Sequence, residues 1–338
     1  MHRLLLFLFL LLCLPVSVYA EKSYQPGLQT LTFCEPAKGI LLDVSIWYPT
    51  RRAPTALTFG SWTFKASRRA QPASPGPFPL ILLSHDSGGN RFSHNPLAIA
   101  LAQQGFIVAA PTHRQDNIDR MPQLFTPDQL ATRARELSDT LSLLLEHAVL
   151  SKMIDAKRIG VAGIGTGGAA ALLLGGARLD GSGWKQYCAQ AGSHDPYCTP
   201  WVAPRMKAIA SAIKETSFHL PPLKAVAAAA PSFGMLFSPQ SLKGLRLPVL
   251  LLRADLDAIN RSPYHADHIR DSLPTKPEFG VLKRCDNASL IGACTPAAEN
   301  LLPDLCLPSP KADRNSAQQQ MAEKIGSFMK RHLGFAND

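Results

Sequence analysis

One stretch constrains the fold more than any other. Arg158 to Ala162 (RIGVA) is a short apolar run, the turn Gly163-Ile164-Gly165-Thr166-Gly167-Gly168 follows, and Ala169 to Leu174 (AAALLL) resumes with strong helix formers. A strand, a sharp glycine turn and a helix in immediate succession form the core of a βαβ unit. Other short, wholly apolar runs recur: Leu80 to Leu83 (LILL), Phe106 to Ala110 (FIVAA), Ala225 to Ala230 and Val249 to Leu252. Such strands are buried on both faces, which requires helices on both sides of a sheet. Pro96 to Gln104, ended by Gly105, reads as helix. So does Pro127 to Ser151, where Leu130, Leu137, Leu141, Leu144 and Leu145 fall at helical spacing. The alternation predicts an α/β fold with a doubly wound, mostly parallel sheet.

The remaining segments fit around that frame. Leu41 to Tyr48 (LLDVSIWY) is an early strand. Ala53 to Pro79, rich in Pro, Ser, Ala and Arg, reads as a loop or insertion. Residues 176–222 are polar, contain cysteine and interrupt the alternation, so a small cap excursion is expected over the C-terminal edge of the sheet, where α/β folds place their sites. There is no internal repeat. With 338 residues and 46% hydrophobic content, the chain is long and apolar enough for one large domain, and global disorder is excluded.

Met1 to Ala20 (MHRLLLFLFLLLCLPVSVYA) has a basic start, an apolar run and a small-x-small end at Val18-Tyr19-Ala20. This is the pattern of a secretory signal peptide, and the apolar run is too short for a comfortable membrane span. The alternative is an uncleaved anchor. The expected mature chain is a single domain over 21–338 with no stable membrane span, exported to the periplasm or the extracellular medium. Six cysteines then remain: Cys34, Cys188, Cys198, Cys285, Cys294 and Cys306. An even number in an exported chain favours disulfides. Fifteen pairings are open, with Cys188–Cys198 and Cys294–Cys306 as the short-range choices. No Cys/His pair has zinc spacing, so neither a metal site nor a cofactor is expected. The formal charge of +10 is scattered, with no basic helix or interleaved aromatics, and so does not point to nucleic acid.

The glycine turn has two readings. A dinucleotide fingerprint would begin at Gly163, but it needs an acidic residue after a second strand and a place in the first βα turn. Asp180 follows a helix, and the turn comes late. The other reading is a nucleophile elbow, small-x-nucleophile-x-small, in which Gly163 and Gly167 take the small positions and Gly165 takes the nucleophile's. Glycine adopts the elbow's positive φ freely but offers no hydroxyl.

The ordered segments Leu82-Leu83-Ser84-His85-Asp86-Ser87-Gly88-Gly89, Gly105 to His113, Arg158 to Gly168, Leu223 to Val226 with Pro231, and Leu247 to Leu251 resemble the α/β-hydrolase superfamily. Within it they are similar to the dienelactone hydrolase and platelet-activating-factor acetylhydrolase-like group. The resemblance runs from about Leu28 to Leu333 and implies serine esterase chemistry with Ser, Asp and His in that chain order. It places the acid at Asp257, with Asp255 second. It places the histidine where Asn287 stands and the oxyanion loop at His85-Asp86, with Thr166 following the nucleophile position.

Three departures follow from these placements. Gly165 removes the attacking oxygen. Asn287 cannot take up a proton near neutral pH, although its amide can donate an N–H to Asp257 as an inert copy of the acid–histidine bond. Asp86 sets a carboxylate where negative charge would develop. The expectation is a degenerate hydrolase that binds a small apolar, ester-like ligand or a partner. The competing expectation is an active ester or lactone hydrolase with another catalytic set, drawn from Thr166, Ser84, Ser87, His85, His113 or an Asp86–Asp257 pair. His113 reads as a structural partner, and His194, His219, His265 and His268 as surface histidines. Trp184, Tyr187 and Trp201 either line an apolar mouth or pack the cap.

Overall fold

The computed structural model describes residues 24–334, apart from 36–38, 75, 213–217, 219 and 221. The expected signal peptide, His219 and part of the excursion's end lie outside the described residues.

The chain opens with two long antiparallel strands, β1 (Gln25–Glu35) and β2 (Ile40–Thr50), and a hairpin, β3 (Thr55–Phe59) and β4 (Trp62–Arg68). Then follow β5 (Phe78–Ser84), α1 (Asn95–Gln103), β6 (Ile107–Pro111), α2 (Gln129–Glu146), β7 (Ile154–Ile164) and α3 (Thr166–Leu174). The excursion carries α4 (Trp184–Ala191) and α5 (Ala203–Ala212). The chain then returns through β8 (Leu223–Ala229), β9 (Val249–Ala254), α6 (Ala266–Ser272) and β10 (Glu278–Leu282) to α7 (Pro296–Leu301), α8 (Pro303–Cys306) and α9 (Arg314–Leu333).

The strands form one sheet in the order β10-β9-β8-β7-β5-β6-β2-β1-β4-β3, with β10 through β6 all parallel. The expected doubly wound α/β sheet is therefore present. The apolar runs that predicted it are buried along their whole lengths in β5, β6 and most of β7. One apolar core joins α2, α3 and the excursion to one face; a second joins α1 and α9 to the other. Leu130, Leu137, Leu141 and Leu144 all point into the first core, as their spacing requires.

The segment expected to be a loop, Ala53 to Pro79, instead contains the β3–β4 hairpin. Its second strand alternates buried Trp62, Phe64 and Ala66 with exposed residues, a half-buried period that loop-like composition hides. The hairpin is stitched to the far end of the chain. Thr63 N–H donates to the Ala293 carbonyl at 3.2 Å, and Thr295 N–H donates to the Ser61 carbonyl at 2.9 Å. Cys294, between them, is disulfide-bonded to Cys306, and Cys188 is bonded to Cys198 in the excursion. Both short-range pairs thus form, while Cys34 is a free exposed thiol and Cys285 a free buried one. Among the described residues no helix is long and apolar enough to cross a membrane.

Candidate functional site

The chain leaves β5 toward β6 on one side and then crosses to β7 on the other, so the sheet order reverses between β5 and β7. A crevice opens at the carboxyl ends of two such strands. Ser84 and Gly163 are register partners there, which brings the loop after β5 against the turn after β7.

That turn has elbow geometry. Gly165 adopts φ +56° and ψ −122°, a conformation that costs most side chains strain. The flanking glycines are required by space. A Cβ at 163 would lie 2.0 Å from the Gly167 carbonyl oxygen, and one at 167 would lie 2.2 Å from that of Ser84. The backbone is fixed by Gly165 N–H donating to the Ala229 carbonyl (3.0 Å) and by Ser232 N–H donating to the Gly165 carbonyl (3.0 Å).

The space a side chain at 165 would need is already taken. A Cβ there would meet Asp86 Cγ at 2.1 Å and its two carboxylate oxygens at 2.2 and 2.3 Å. Asp86 Oδ1 accepts the backbone N–H of Thr166 at 2.8 Å and that of Ser87 at 2.8 Å. These are the residue after the elbow position and a loop residue after the preceding strand. Such a pair of amides forms the oxyanion hole of an acyl-transfer enzyme. In this protein both amides donate to a carboxylate oxygen of its own. Burial raises the Asp86 pKa, and the two N–H groups oppose the rise.

The loop carrying Asp86 is held from beneath. His85 is buried; its Nδ1 donates to the Asp86 carbonyl (2.6 Å) and its Nε2 accepts the His113 N–H (3.0 Å), which fixes a neutral tautomer. Burial holds its pKa well below the usual histidine value. Arg133, also buried, pairs with Asp116 at 2.7 Å and donates to the His85 carbonyl. Ser87 Oγ donates to Asp116 at 3.0 Å and lies 2.9 Å from Thr166 Oγ1. His85 and Thr166 therefore act as braces.

Asp257 follows β9 and is buried. It accepts from Ile259 N–H (2.8 Å), Asn260 N–H (2.7 Å) and Asn260 Nδ2 (3.2 Å). Burial, with the Asp86 charge adding to it, raises its pKa to about 6. The Asn287 amide is not among its partners, so the expected inert copy of an acid–histidine bond is absent. Asn260 instead links Asp257 to Tyr197 of the excursion, whose hydroxyl donates to Asn260 Oδ1 at 2.9 Å. Asn287 sits in the loop after β10, which Asp286 holds by accepting from Ser289 N–H (2.9 Å) and Ser309 N–H (2.6 Å).

Asn287 and Asp86 line one cavity of about 140 Å³; Asp257 does not line it. The same cavity is lined by His94, which the sequence reading passed over. His94 is 4% exposed, and its Nδ1 donates to the Leu290 carbonyl at 2.9 Å. Its Nε2 is buried with no hydrogen-bond partner. Burial depresses its pKa to about 4, so at neutral pH Nε2 is a bare acceptor. The one signal for it in the sequence is its place at the N-cap of α1, directly ahead of Asn95-Pro96.

Other candidates are placed elsewhere. Ser84 Oγ lies 2.8 Å from His113 Nε2, and His113 Nδ1 lies 2.7 Å from Glu136, a serine–histidine–carboxylate line. Ser84 is wholly buried and lines none of the described cavities; Glu136 alone reaches a cleft, beside α2. His265 is fully buried, contrary to the surface reading: its Nδ1 accepts Gly234 N–H at 3.2 Å, and its Nε2 lies 3.4 Å from the Tyr187 hydroxyl. His268 is partly buried on the Phe237 carbonyl, and His194 is exposed. In the excursion, Tyr187 packs inward and donates to Asp195 at 2.6 Å, whereas Trp201 is 88% exposed. Among the described residues no group of three or more His, Cys, Asp or Glu has metal-site geometry.

Comparison with known proteins adds four likenesses. The family model described as platelet-activating factor acetylhydrolase, isoform II, matches residues 38–124. The platelet-activating factor acetylhydrolase of Bos taurus is 32% identical over a stretch covering 27% of this chain and 26% of that protein, so the likeness spans about a quarter of the relative. Among solved structures, a ferulic acid esterase from Streptomyces cinnamoneus superposes with a TM-score of 0.57 at 19% identity, covering 93% of this chain and 91% of that one. A dienelactone hydrolase from Anabaena variabilis gives 0.50 at 14% identity, covering 92% and 100%.

Proposed function

We propose that this chain of the α/β-hydrolase family is an exported protein that has lost serine-type acyl transfer and works by holding a small ligand in the cavity beside its elbow. The observation carrying this reading is Asp86. Its carboxylate occupies the volume that a side chain at 165 would fill, and it consumes both amides that would stabilise an oxyanion. Deleting a nucleophile in a serine hydrolase leaves a residual acceleration of about 10³–10⁴ over water, which comes from the oxyanion hole and substrate binding. A filled hole forfeits that residue too. A substrate carbonyl placed there would face a carboxylate as its own negative charge developed, which raises the barrier.

Export is supported by the leader pattern of Met1 to Ala20 and by two disulfides, which persist in oxidising compartments. The second reading, an active hydrolase with another catalytic set, draws on the line Ser84–His113–Glu136. It needs a substrate path to a wholly buried hydroxyl.

The test is a fluorophosphonate probe on the purified mature protein, with short-chain p-nitrophenyl esters and lactones as substrates. The expected result is no stoichiometric serine labelling and turnover at background. Stoichiometric labelling, or ester turnover lost on Asp257→Ala, overturns the reading; labelling mapped to Ser84 establishes the second one.

A further inference from the structure

We infer that the cavity at the elbow takes a protonated amine with a small apolar body, a ligand of the opposite polarity to an ester's developing oxyanion. This inference rests on the binding role proposed above and names the chemistry of the ligand.

Two acceptors define the polar end. The Asp86 carboxylate is half-buried on the cavity wall, and His94 Nε2 is a buried acceptor with no donor. Leaving such a nitrogen unpaired is costly, and a ligand N–H recovers that cost on binding. The Nδ1–H bond to the Leu290 carbonyl holds the ring in the tautomer that keeps Nε2 free to accept. The Asn287 amide, which carries both an acceptor oxygen and an NH2 donor, belongs to the same wall.

The charge agrees with the donor count. Asp86 and, at the exposed rim, Asp304 line the cavity, and its lining includes no lysine or arginine. The nearby cation, Arg133, is already engaged by Asp116 and the His85 carbonyl. An anionic ligand would meet the Asp86 and Asp304 carboxylates with no lysine or arginine on the wall to offset them, and an ester carbonyl would find the Thr166 and Ser87 amides occupied. Beside Ser87 and Ser93, the wall carries the apolar side chains of Ile164, Ile259, Leu290, Ile291 and Leu305, which fit a short alkyl body. A quaternary ammonium carries charge but no N–H, so it would leave His94 unpaired.

The experiment is calorimetry at pH 7.5 with four probes of similar alkyl length: n-butylammonium, n-butyltrimethylammonium, 1-butanol and butyrate. The fluorophosphonate assay is run on the same preparation. Butylammonium is expected to bind at least tenfold more tightly than each of the other three. Asp86→Asn, nearly isosteric, is expected to cut butylammonium affinity at least tenfold and leave 1-butanol unchanged. His94→Leu, which removes an acceptor open to either an N–H or an O–H, is expected to weaken both butylammonium and 1-butanol, and His94→Gln, which restores an acceptor, to recover part of the loss. Butyrate or 1-butanol binding as tightly as butylammonium, or butylammonium binding indifferent to Asp86→Asn, overturns the inference. Should the variants not fold, the wild-type ranking of the four probes decides alone. Serine labelling in the parallel assay overturns the binding role, whereas no labelling with no ammonium preference overturns the ligand class only.

Discussion

Gly165 and Asp86 share one volume, and a double-mutant cycle measures that sharing. Gly165→Ser in the native background places a Cβ 2.1 Å from Asp86 Cγ, an overlap relieved only by displacing the carboxylate from its two amides. Overpacking of this kind costs about 1–3 kcal/mol. Holding a non-glycine residue at φ +56°, ψ −122° adds about 1–3 kcal/mol. The single substitution is thus expected to lower stability by about 2–6 kcal/mol, a fall in Tm of about 4–12 °C at about 2 °C per kcal/mol for a domain of this size. Asp86→Gly alone leaves the Thr166 and Ser87 N–H groups without their acceptor, at about 1–3 kcal/mol. Together the substitutions should not add. Removing the carboxylate frees the space the serine needs, so the double variant should be about 1–3 kcal/mol more stable than the sum of the singles. Urea denaturation of the four proteins reads this coupling. Additivity within about 0.5 kcal/mol would refute the claim that the two side chains compete for one site.

Further outcomes follow from the same geometry. On the proposed reading, Gly165→Ser with Asn287→His should stay near background while Asp86 keeps both amides, and adding Asp86→Gly should give measurable p-nitrophenyl acetate turnover. Glu136, whose pKa burial raises to about 7, binds its proton more tightly folded than unfolded. Its contribution is full below about pH 4.5 and lost as pH rises through 7, so Glu136→Gln should gain on the wild type by up to about 3 kcal/mol between pH 4.5 and 8 in paired denaturation curves. Arg133→Met leaves Asp116 as an uncompensated buried charge, and a loss of about 3–5 kcal/mol is expected by the same measurement. Replacing Cys188 and Cys198 with alanine opens a short loop, and a loss of roughly 2–3 kcal/mol is expected, with faster proteolysis of the excursion.

The parallel sheet was legible in the sequence because strands buried on both faces are apolar through their buried stretch, as β5 is up to Ser84, β6 over its length and β8 from Ala225 on. The hairpin was not, because β4 buries alternate residues and its exposed positions, such as Thr63 and Lys65, resemble loop composition. The glycine turn was legible from its spacing, since Gly163 and Gly167 answer to backbone atoms four residues on, at Gly167, or one strand away, at Ser84. The seating of Asp86 in the hole depends on how closely two loops approach, which no local pattern encodes. His94 and His265 were lost for the same reason: a histidine buried by residues distant in sequence has no period to betray it. The link from Asp257 through Asn260 to Tyr197 likewise joins the loop after β9 to the excursion, two segments distant in sequence.

The seam between the β3–β4 hairpin and the Cys294–Cys306 segment has a temporal consequence. Residues 61–63 emerge early in synthesis, yet their partners at 293–295 are made more than two hundred residues later. Contacts so distant in sequence form slowly, because the intervening chain must first be ordered. The flank of the cavity that carries Asn287 therefore closes at the end of folding. A chain truncated before Cys294 would keep Asn287, Leu290 and Ile291, and would lack the hairpin's late partners, the Cys294–Cys306 bond and the Asp304–Leu305 edge of the wall against which a guest molecule rests.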